Sequence, residues 1–389
     1  MKKQAQAYYV AIDLHSNNLL AAIVDAQGRR LKQARLFCEL HEVEKFLQPY
    51  RAKIAAIALE STFNWYWLAD GLQDLGYHVV LANPAALVQY DGLKHADDKS
   101  DAFFLAELLR LGILPAGYIL ERKLRAVRDL LRRRASLVAQ RTALTLSLRN
   151  LQLRTKGYCP MPTSRLQHGE RQEVVDLFAE PAEKMTAEIQ KTHIDALGRS
   201  IARIEKHVQQ SARQLPHGTQ LTSVPGIGKI LAMTILLEVG DIARFPSAEN
   251  FASYARMVKA ARTSNGKKKG ENNAKCGNRY LAWAFIEASH FIRRYDERAA
   301  RWHARKTARS NKIIATKALG CKLAKTVWYI LASGCEYDGE RLFGPGKSRG
   351  SAAAAQENFG RASASQKKGL KQPVRGLIGG RCSPSKSLA

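Results

Sequence analysis

Four acidic residues, Asp13, Glu60, Asp98 and Asp101, stand out in a 389-residue chain whose formal net charge is +28. Carboxylates are the ligands that hard divalent cations prefer, and two cations held this way stabilise both the attacking and the leaving oxygen of a phosphoryl transfer. Gathered without metal, four carboxylates repel one another and some must take up protons. The set therefore predicts a magnesium site, with two ions, facing a polyanion. Taken singly the residues have plainer uses: Asp98 and Asp101 as first-turn acids complementing a helix dipole, Asp13 as a strand-end turn residue.

A second run with chemical potential is Arg262-Thr263-Ser264-Asn265-Gly266-Lys267-Lys268-Lys269-Gly270, continued by Lys275 and Arg279 ahead of an apolar helix from Leu281 to Phe291. A loop of this kind can present a hydroxyl to a phosphate while lysines and backbone amides hold the nonbridging oxygens. Ser264 is one hydroxyl among several there, and a lysine-rich surface loop without catalysis has the same composition. Upstream, Val224-Pro225-Gly226-Ile227-Gly228-Lys229 reads as a turn between helices, similar to a helix-hairpin-helix. The amides of Gly226 and Gly228 could approach a phosphate there beside Lys229, although tight helix packing explains the glycines nearly as well. It is not a nucleotide P-loop, since Ile230 replaces the required hydroxyl residue, and Gly346-Lys347-Ser348 fails because Arg341 holds the first-glycine position. No ATP is expected.

The elements that must position these residues follow from periodicity. Residues 7–13, 17–25 and 30–38 read as three successive strands, a β-meander. A short helix over 41–50 leads to a strand at 54–59, a helix over 64–75, a strand at 78–81, and helical stretches after Pro84 and around 99–113. This βββαβαβα order is that of the ribonuclease-H-like fold, a mixed sheet flanked by helices. Asp13 and Glu60 end strands, and Asp98 and Asp101, three apart at a helix start, share one face. All four could thus meet at one end of the sheet.

From about 120 to 215 long charged helices take over. Ile194, Leu197, Ile201, Ile204 and Val208 step as a coiled-coil seam does, which suits an antiparallel helical arm or a dimerising coiled coil. Arg125, Arg128, Arg132, Arg133, Arg134, Arg141 and Arg149 crowd the first helix, where they could track a nucleic-acid backbone or form a solvated face. The expected organisation is an α/β domain over 1–115, the arm over 116–215, a mainly α domain over 216–342, and a basic tail over 343–389. That tail, rich in Gly, Ser, Ala and Lys/Arg, is expected to be disordered.

Lys and Arg number 62 against 34 Asp and Glu, with a pI near 10. So strong an excess favours phosphate backbones, because neutralising phosphates releases condensed counterions. The six cysteines form no CxxC pair and have no histidine at ligand spacing, which argues for reduced thiols in a cytoplasm rather than zinc or disulfides. No leader-like start and no apolar run of membrane-spanning length is present, so no membrane is expected.

The wording of several segments resembles the insertion-sequence one-ten family of transposases, and its IS-eleven-eleven subgroup in particular. The resemblance rests on Ala11-Ile12-Asp13, Glu60-Ser61-Thr62, Asp98-Lys99-Ser100-Asp101-Ala102, Val224-Pro225-Gly226-Ile227-Gly228 and the SNGKKKGENNAKCGNRYLAWAF run, and spans roughly residues 7–335. It implies a recombinase with a RuvC-like DEDD domain, a coiled-coil arm and a carboxy-terminal transposase domain carrying a nucleophilic serine. By motif match the acids are Asp13, Glu60, Asp98 and Asp101 and the serine is Ser264. Many relatives have Gly directly after that serine where this chain has Asn265, so Thr263 and Ser223 stay open as alternatives. The resemblance also implies double-stranded DNA as substrate, a structured noncoding guide RNA, a homo-oligomer, and a nucleoid-associated place in a prokaryotic cytoplasm.

Overall fold

The computed structural model describes residues 7–87, 98–211, 215–258, 261–264, 267–271 and 276–344; for 98–100, 261–264 and 268–271 it describes the backbone alone. The first three strands, β1 (Tyr8–Leu14), β2 (Asn18–Asp25) and β3 (Arg30–Phe37), form an antiparallel meander. Helix α1 (Leu40–Leu47) and a 3-10 turn lead to β4 (Ile54–Glu60), which pairs parallel to β1. Helix α2 (Tyr66–Asp74), β5 (Val79–Ala82), the short α3 (Pro84–Leu87), α4 (Asp98–Arg110) and β6 (Ala116–Gly117) complete a six-stranded mixed sheet in the order β3-β2-β1-β4-β5-β6. The ribonuclease-H-like order read from periodicity is present. The two-residue edge strand β6 is an addition, too short for periodicity to register.

Strand alternation decides which face each residue of β1 and β4 serves. Val10, Ile12, Leu14, Ile57 and Leu59 are buried with Val43, Leu68 and Leu72, under α1 and α2. The opposite positions, Ala11 and Ala58, are buried with Ala22, Ala82, Ala102 and Ala106 under α4. Small residues on this second face let the α4 backbone approach the sheet closely. By parity, Asp13 and Glu60 extend the α4 face. The direction of α4 is set at its far end, where Arg110 Nη1 donates to Ala26 O (3.1 Å) at the β2–β3 turn and pairs with Glu107. That turn lies beside the start of β1, so the first turn of α4 lies toward the end of β1.

Beyond the sheet, α5 (Arg122–Lys156) runs 35 residues, about 52 Å at 1.5 Å per residue, and stops at Gly157 in the left-handed conformation (φ 76°). Two short helices, α6 (Thr163–His168) and α7 (Arg171–Val175), turn the chain into α8 (Pro181–Ser211). Ser147 meets Gln190 and Arg134 meets Glu205, so α5 and α8 are antiparallel. The seam residues Ile194, Ile201 and Val208 are buried within the chain, and Leu148, Leu151, Met161, Leu166, Val174 and Phe178 form a core at the arm's outer end. Of the two arrangements the seam allowed, the structure holds the antiparallel arm.

The carboxy-terminal part is mainly helical: α9 (Gly218–Thr222), α10 (Lys229–Val239), α11 (Ala248–Tyr254), the hairpin β7 (Ala261–Ser264) with β8 (Lys267–Glu271), α12 (Arg279–Tyr295), α13 (Glu297–Ala308) and α14 (Lys312–Ser333). A final helix, α15 (Gly339–Phe343), lies in a second unit of the chain. The lysine-rich stretch expected as a loop is in part this two-stranded hairpin. The expected tail beyond 344 lies outside the described residues. Among the described residues no helix is long and apolar enough to cross a membrane.

Side-chain caps fix the turns between the last three long helices. Asn278, Asp296 and Asn311 accept backbone N–H groups at the starts of α12, α13 and α14. Burial alone would raise the Asp296 carboxyl, but hydrogen bonds from Arg298 and from Tyr337 Oη (3.1 Å) outweigh it and hold the carboxyl below its ordinary value. The charged form is therefore favoured by folding, so its contribution is complete above the unfolded value near 3.8 and is lost as pH falls through the lower folded value. Asp296→Ala should cost about 1–3 kcal/mol at pH 7 by loss of a cap and charge-assisted bonds. Urea unfolding of both proteins should show the gap closing as pH drops below about 4.

Candidate active site

Asp13 is 6% exposed at the end of β1, and Glu60 closes β4 next to it, one position past the paired residues Ile12 and Leu59. The turns that follow are tied together: Asn64 Nδ2 donates to His15 O (3.0 Å), and Thr62 Oγ1 donates to Asn64 Oδ1 (2.9 Å). Two neighbouring parallel strands thus end side by side with an acid each. Asp101 lies in the first turn of α4, on the helix covering that face, and Ala102 beside it is fully buried against the sheet. Asp98 is the first residue of α4; its side chain lies outside the described residues.

Whether this set suits a divalent cation can be tested on the environment of Asp13. Other buried carboxylates of the chain are met by cations: Asp25 by Arg29 (2.7 Å), Glu238 by Arg132 (2.7 Å), Asp296 by Arg298 (3.2 Å). Asp13 has no arginine or lysine partner among the described residues, and its ionic neighbour is His15 Nε2 at 3.4 Å. A buried carboxylate left without a fixed cation, in an all-oxygen donor set, suits a hard metal ion. Among the described residues no three His, Cys, Asp or Glu stand close enough to hold one ion together. The donor chemistry fits; the side chain of Asp98, the fourth expected ligand, lies outside the described residues.

Ser264 ends β7 and pairs with Lys267, leaving Asn265-Gly266 as the intervening pair; its side chain, like those of Lys268 and Lys269, is outside the described residues, as is Lys275 altogether. Past the hairpin the chain is clamped. Arg256 Nε donates to Cys276 O (3.0 Å), Asn278 N donates to Tyr254 O (2.6 Å), and Gly277 holds φ +84°, where an added Cβ would stand 2.5 Å from Tyr254 O. Cys276 Sγ lies 3.5 Å from Ala85 O in α3, directly after β5. Because Ala82 at the end of β5 pairs with Glu60, the start of the segment leading into α12 touches the chain just past the acid-bearing end of the sheet.

The other expected nucleic-acid contacts divide. Arg125 is 2% exposed, bonded to Asp70 (2.8 Å) and to Leu120 O (3.1 Å), and stacks on Trp65 and Tyr66. Arg128 donates to Tyr66 Oη (3.1 Å), Arg132 grips Glu238 with two bonds of 2.7 Å, and Arg134 pairs with Glu205 (2.6 Å). These four do not form a phosphate-tracking face; acids supplied by α2, α5 itself, α8 and α10 turn them inward. Arg133 and Arg149 are exposed, and Arg141 is half-buried beside α8. Gly226 (φ +93°) packs on α12, where an added Cβ would meet Ile292 N at 2.5 Å, so helix packing accounts for it. Gly228 and Lys229 are exposed at the start of α10, Lys267 is exposed on β8, and Arg279 is exposed with a bond to Tyr280 Oη (2.9 Å).

Glu238 was not signalled by spacing. It is buried in α10, accepts the Arg132 fork from the arm, and also accepts from Asn278 Nδ2 (2.7 Å), the residue that caps α12 behind the serine hairpin. One carboxylate thus joins three segments. Burial alone would lower the Arg132 guanidinium; the Glu238 carboxylate more than offsets it.

Two family models match the chain: a transposase model of the DEDD type, IS110, over residues 10–155, and the transposase model of the IS116/IS110/IS902 family over residues 218–304. The chain is 26% identical over 287 residues to a probable family 20 transposase of Pseudomonas aeruginosa, covering 71% of this chain and 83% of that protein. It is 24% identical over 293 residues to the y4qE transposase of Sinorhizobium fredii, covering 72% and 70%. A protein of insertion element IS110 from Streptomyces coelicolor is 30% identical over 106 residues, 27% of this chain and 26% of its own length.

Breaking the Glu238 junction should be costly, because it strands a largely enclosed guanidinium. Glu238→Ala is expected to lower the urea unfolding midpoint by the equivalent of about 3 kcal/mol, and Glu238→Met combined with Arg132→Met to recover most of it.

Proposed function

Because this chain belongs to the IS116/IS110/IS902 family of transposases, with a DEDD amino-terminal domain, we propose that it cuts and rejoins DNA through Ser264. The serine oxygen attacks the scissile phosphorus, its bond to the leaving sugar oxygen breaks, and that oxygen takes up a proton. The resulting phosphoserine ester keeps the bond energy, and a sugar hydroxyl of the partner strand reverses the step, so no ATP is consumed. Asp13, Glu60, Asp98 and Asp101 would hold magnesium. When bound, the metal withdraws charge from the scissile phosphate. Exposed Lys267, Arg279 and Lys229 grip the backbone around the reacting centre. Base pairing by a guide RNA selects the sequence, and a homo-oligomer brings the strands together, which leaves the protein to recognise backbone and shape.

The observation that carries this proposal is the approach of Cys276, five residues past the hairpin, to Ala85 in α3, next to the sheet end bearing Asp13 and Glu60. A water-using nuclease needs the acids but not that approach.

Denaturing electrophoresis with labelled element-end DNA, guide RNA and magnesium tests the chemistry. Label should stay on wild-type chains and be lost from Ser264→Ala, while Asp13→Asn should bind DNA but yield neither adduct nor product, a loss of at least about 100-fold. Cleavage by Ser264→Ala without an adduct would instead assign the nucleophile to water.

A further inference from the structure

Between Glu297 and Glu336 the sequence has no acidic residue, and its basic residues concentrate where α13 turns into α14. Arg305, Lys306, Arg309 and Lys312 are exposed there. None has an acidic partner among the described residues, in contrast to the paired arginines of α5. Cationic surroundings also reach the helix interface: burial first, and then Arg293, His290 and Lys312, hold His303 below its ordinary value. At the tip of the same turn Ile313 is 82% exposed and Ile314 41%, a placement that costs the folded chain apolar burial and gains it nothing internally.

The tip is stiff. Asn311 Oδ1 accepts Ile314 N (2.9 Å), Ser310 Oγ donates to Lys306 O (2.8 Å), and His303 Nε2 meets Thr316 Oγ1 (3.1 Å) across the two helices. A β-branched side chain on a capped first turn has little rotamer freedom to lose. An exposed apolar wedge flanked by cations is the combination by which proteins grip phosphates and pry apart a base step of a duplex. A second copy of this chain would bring like charges together. The deep groove of A-form RNA does not offer base steps to such a wedge.

We propose that the α13–α14 turn is a duplex-DNA grip, in which Arg305, Lys306, Arg309 and Lys312 hold backbone phosphates and Ile313 wedges into a base step. Resting on the reading that this chain handles DNA, but not on the serine or metal chemistry, the grip also has a defined place. Gly320 lies against Phe285 and Ser289, and both helices run antiparallel to α11, α12 through Asn278 N–Tyr254 O and Phe251–Phe285 and α14 through Gly320–Met257 and Lys325–Glu249, so α14 runs parallel to α12 and its tip lies toward the start of α12, the end that follows the serine hairpin.

The test uses the full chain, duplex DNA carrying 2-aminopurine at successive positions, and EDTA, so that binding is read without cleavage. Wild type should bind and raise the fluorescence at one step. Arg305→Ala with Arg309→Ala should weaken binding about 10-fold or more at 0.1 M salt and reduce the salt slope by about 2. Ile313→Ala should keep affinity within about 3-fold but lose the fluorescence rise, which Ile313→Leu should retain. Unchanged thermal midpoints would confirm that these surface variants are folded. An unchanged salt slope, a fluorescence rise that survives Ile313→Ala, or tighter binding of an RNA hairpin through the same four cations would each overturn the proposal. Ser264→Ala should bind like wild type, so loss of the adduct chemistry and loss of the grip are separately visible.

Discussion

A buried carboxylate with no arginine or lysine partner among the described residues is the constraint around which the amino-terminal part is arranged. Asp13 lies on the α4 face of β1 because strand alternation puts it there with Ala11, and the same parity puts Glu60 on that face of β4 with Ala58. In a chain with nearly two basic residues for every acidic one, the ionic neighbour of this group among the described residues is a histidine at 3.4 Å. Desolvating a carboxylate is costly, and a mobile cation repays it only where protein oxygens complete its shell. The Asn64 tie between the two strand ends, and the alanines that admit α4, serve the same placement.

Charge elsewhere follows a complementary rule. The arm is rich in arginine, yet near its root Asp70, Asp129, Glu205 and Glu238 convert those arginines into joints between segments. Glu238 is the most connected of them, linking α5, α10 and the cap of α12. The arm and the cap of α12 that follows the serine hairpin are thus bonded to one carboxylate. At the α13–α14 turn no acids are provided and the cations stay outward. Net charge predicts a polyanionic partner but does not say which cations meet it; the positions of the acids do.

Much of the sheet was legible because β1, β2 and β4 are continuous apolar runs bounded by polar turns, and their order alone points to the ribonuclease-H-like arrangement. Asp13 and Glu60 were legible as strand-end acids. The arm's seam was visible as well, but periodicity cannot distinguish an intrachain partner from a second chain, since Ile194, Ile201 and Val208 pack equally well on either. The acidic partners of Arg125 and Arg132 were not legible for a related reason: Asp70 lies 55 residues from one and Glu238 106 residues from the other, distances over which sequence carries no pairing information. The hairpin had a local signal that composition concealed. Asn265-Gly266 is the dipeptide that two-residue β-turns favour, and Lys-rich flanks drew attention away from it. Gly226 needed the backbone of α12 in view before packing could be preferred over phosphate contact.

The proposal stands on Asp13, Glu60 and the α4 acids holding a divalent ion at the end of the sheet, with the serine hairpin of the same chain beside it. Replacing magnesium with ferrous iron and mapping hydroxyl-radical cleavage of the polypeptide tests this directly. Cuts should cluster near residues 13, 60 and 98–101 and in the hairpin over 261–271, and all should vanish in Asp13→Asn. Cuts confined to other segments, or a hairpin left intact while the acid positions are cleaved, would contradict it.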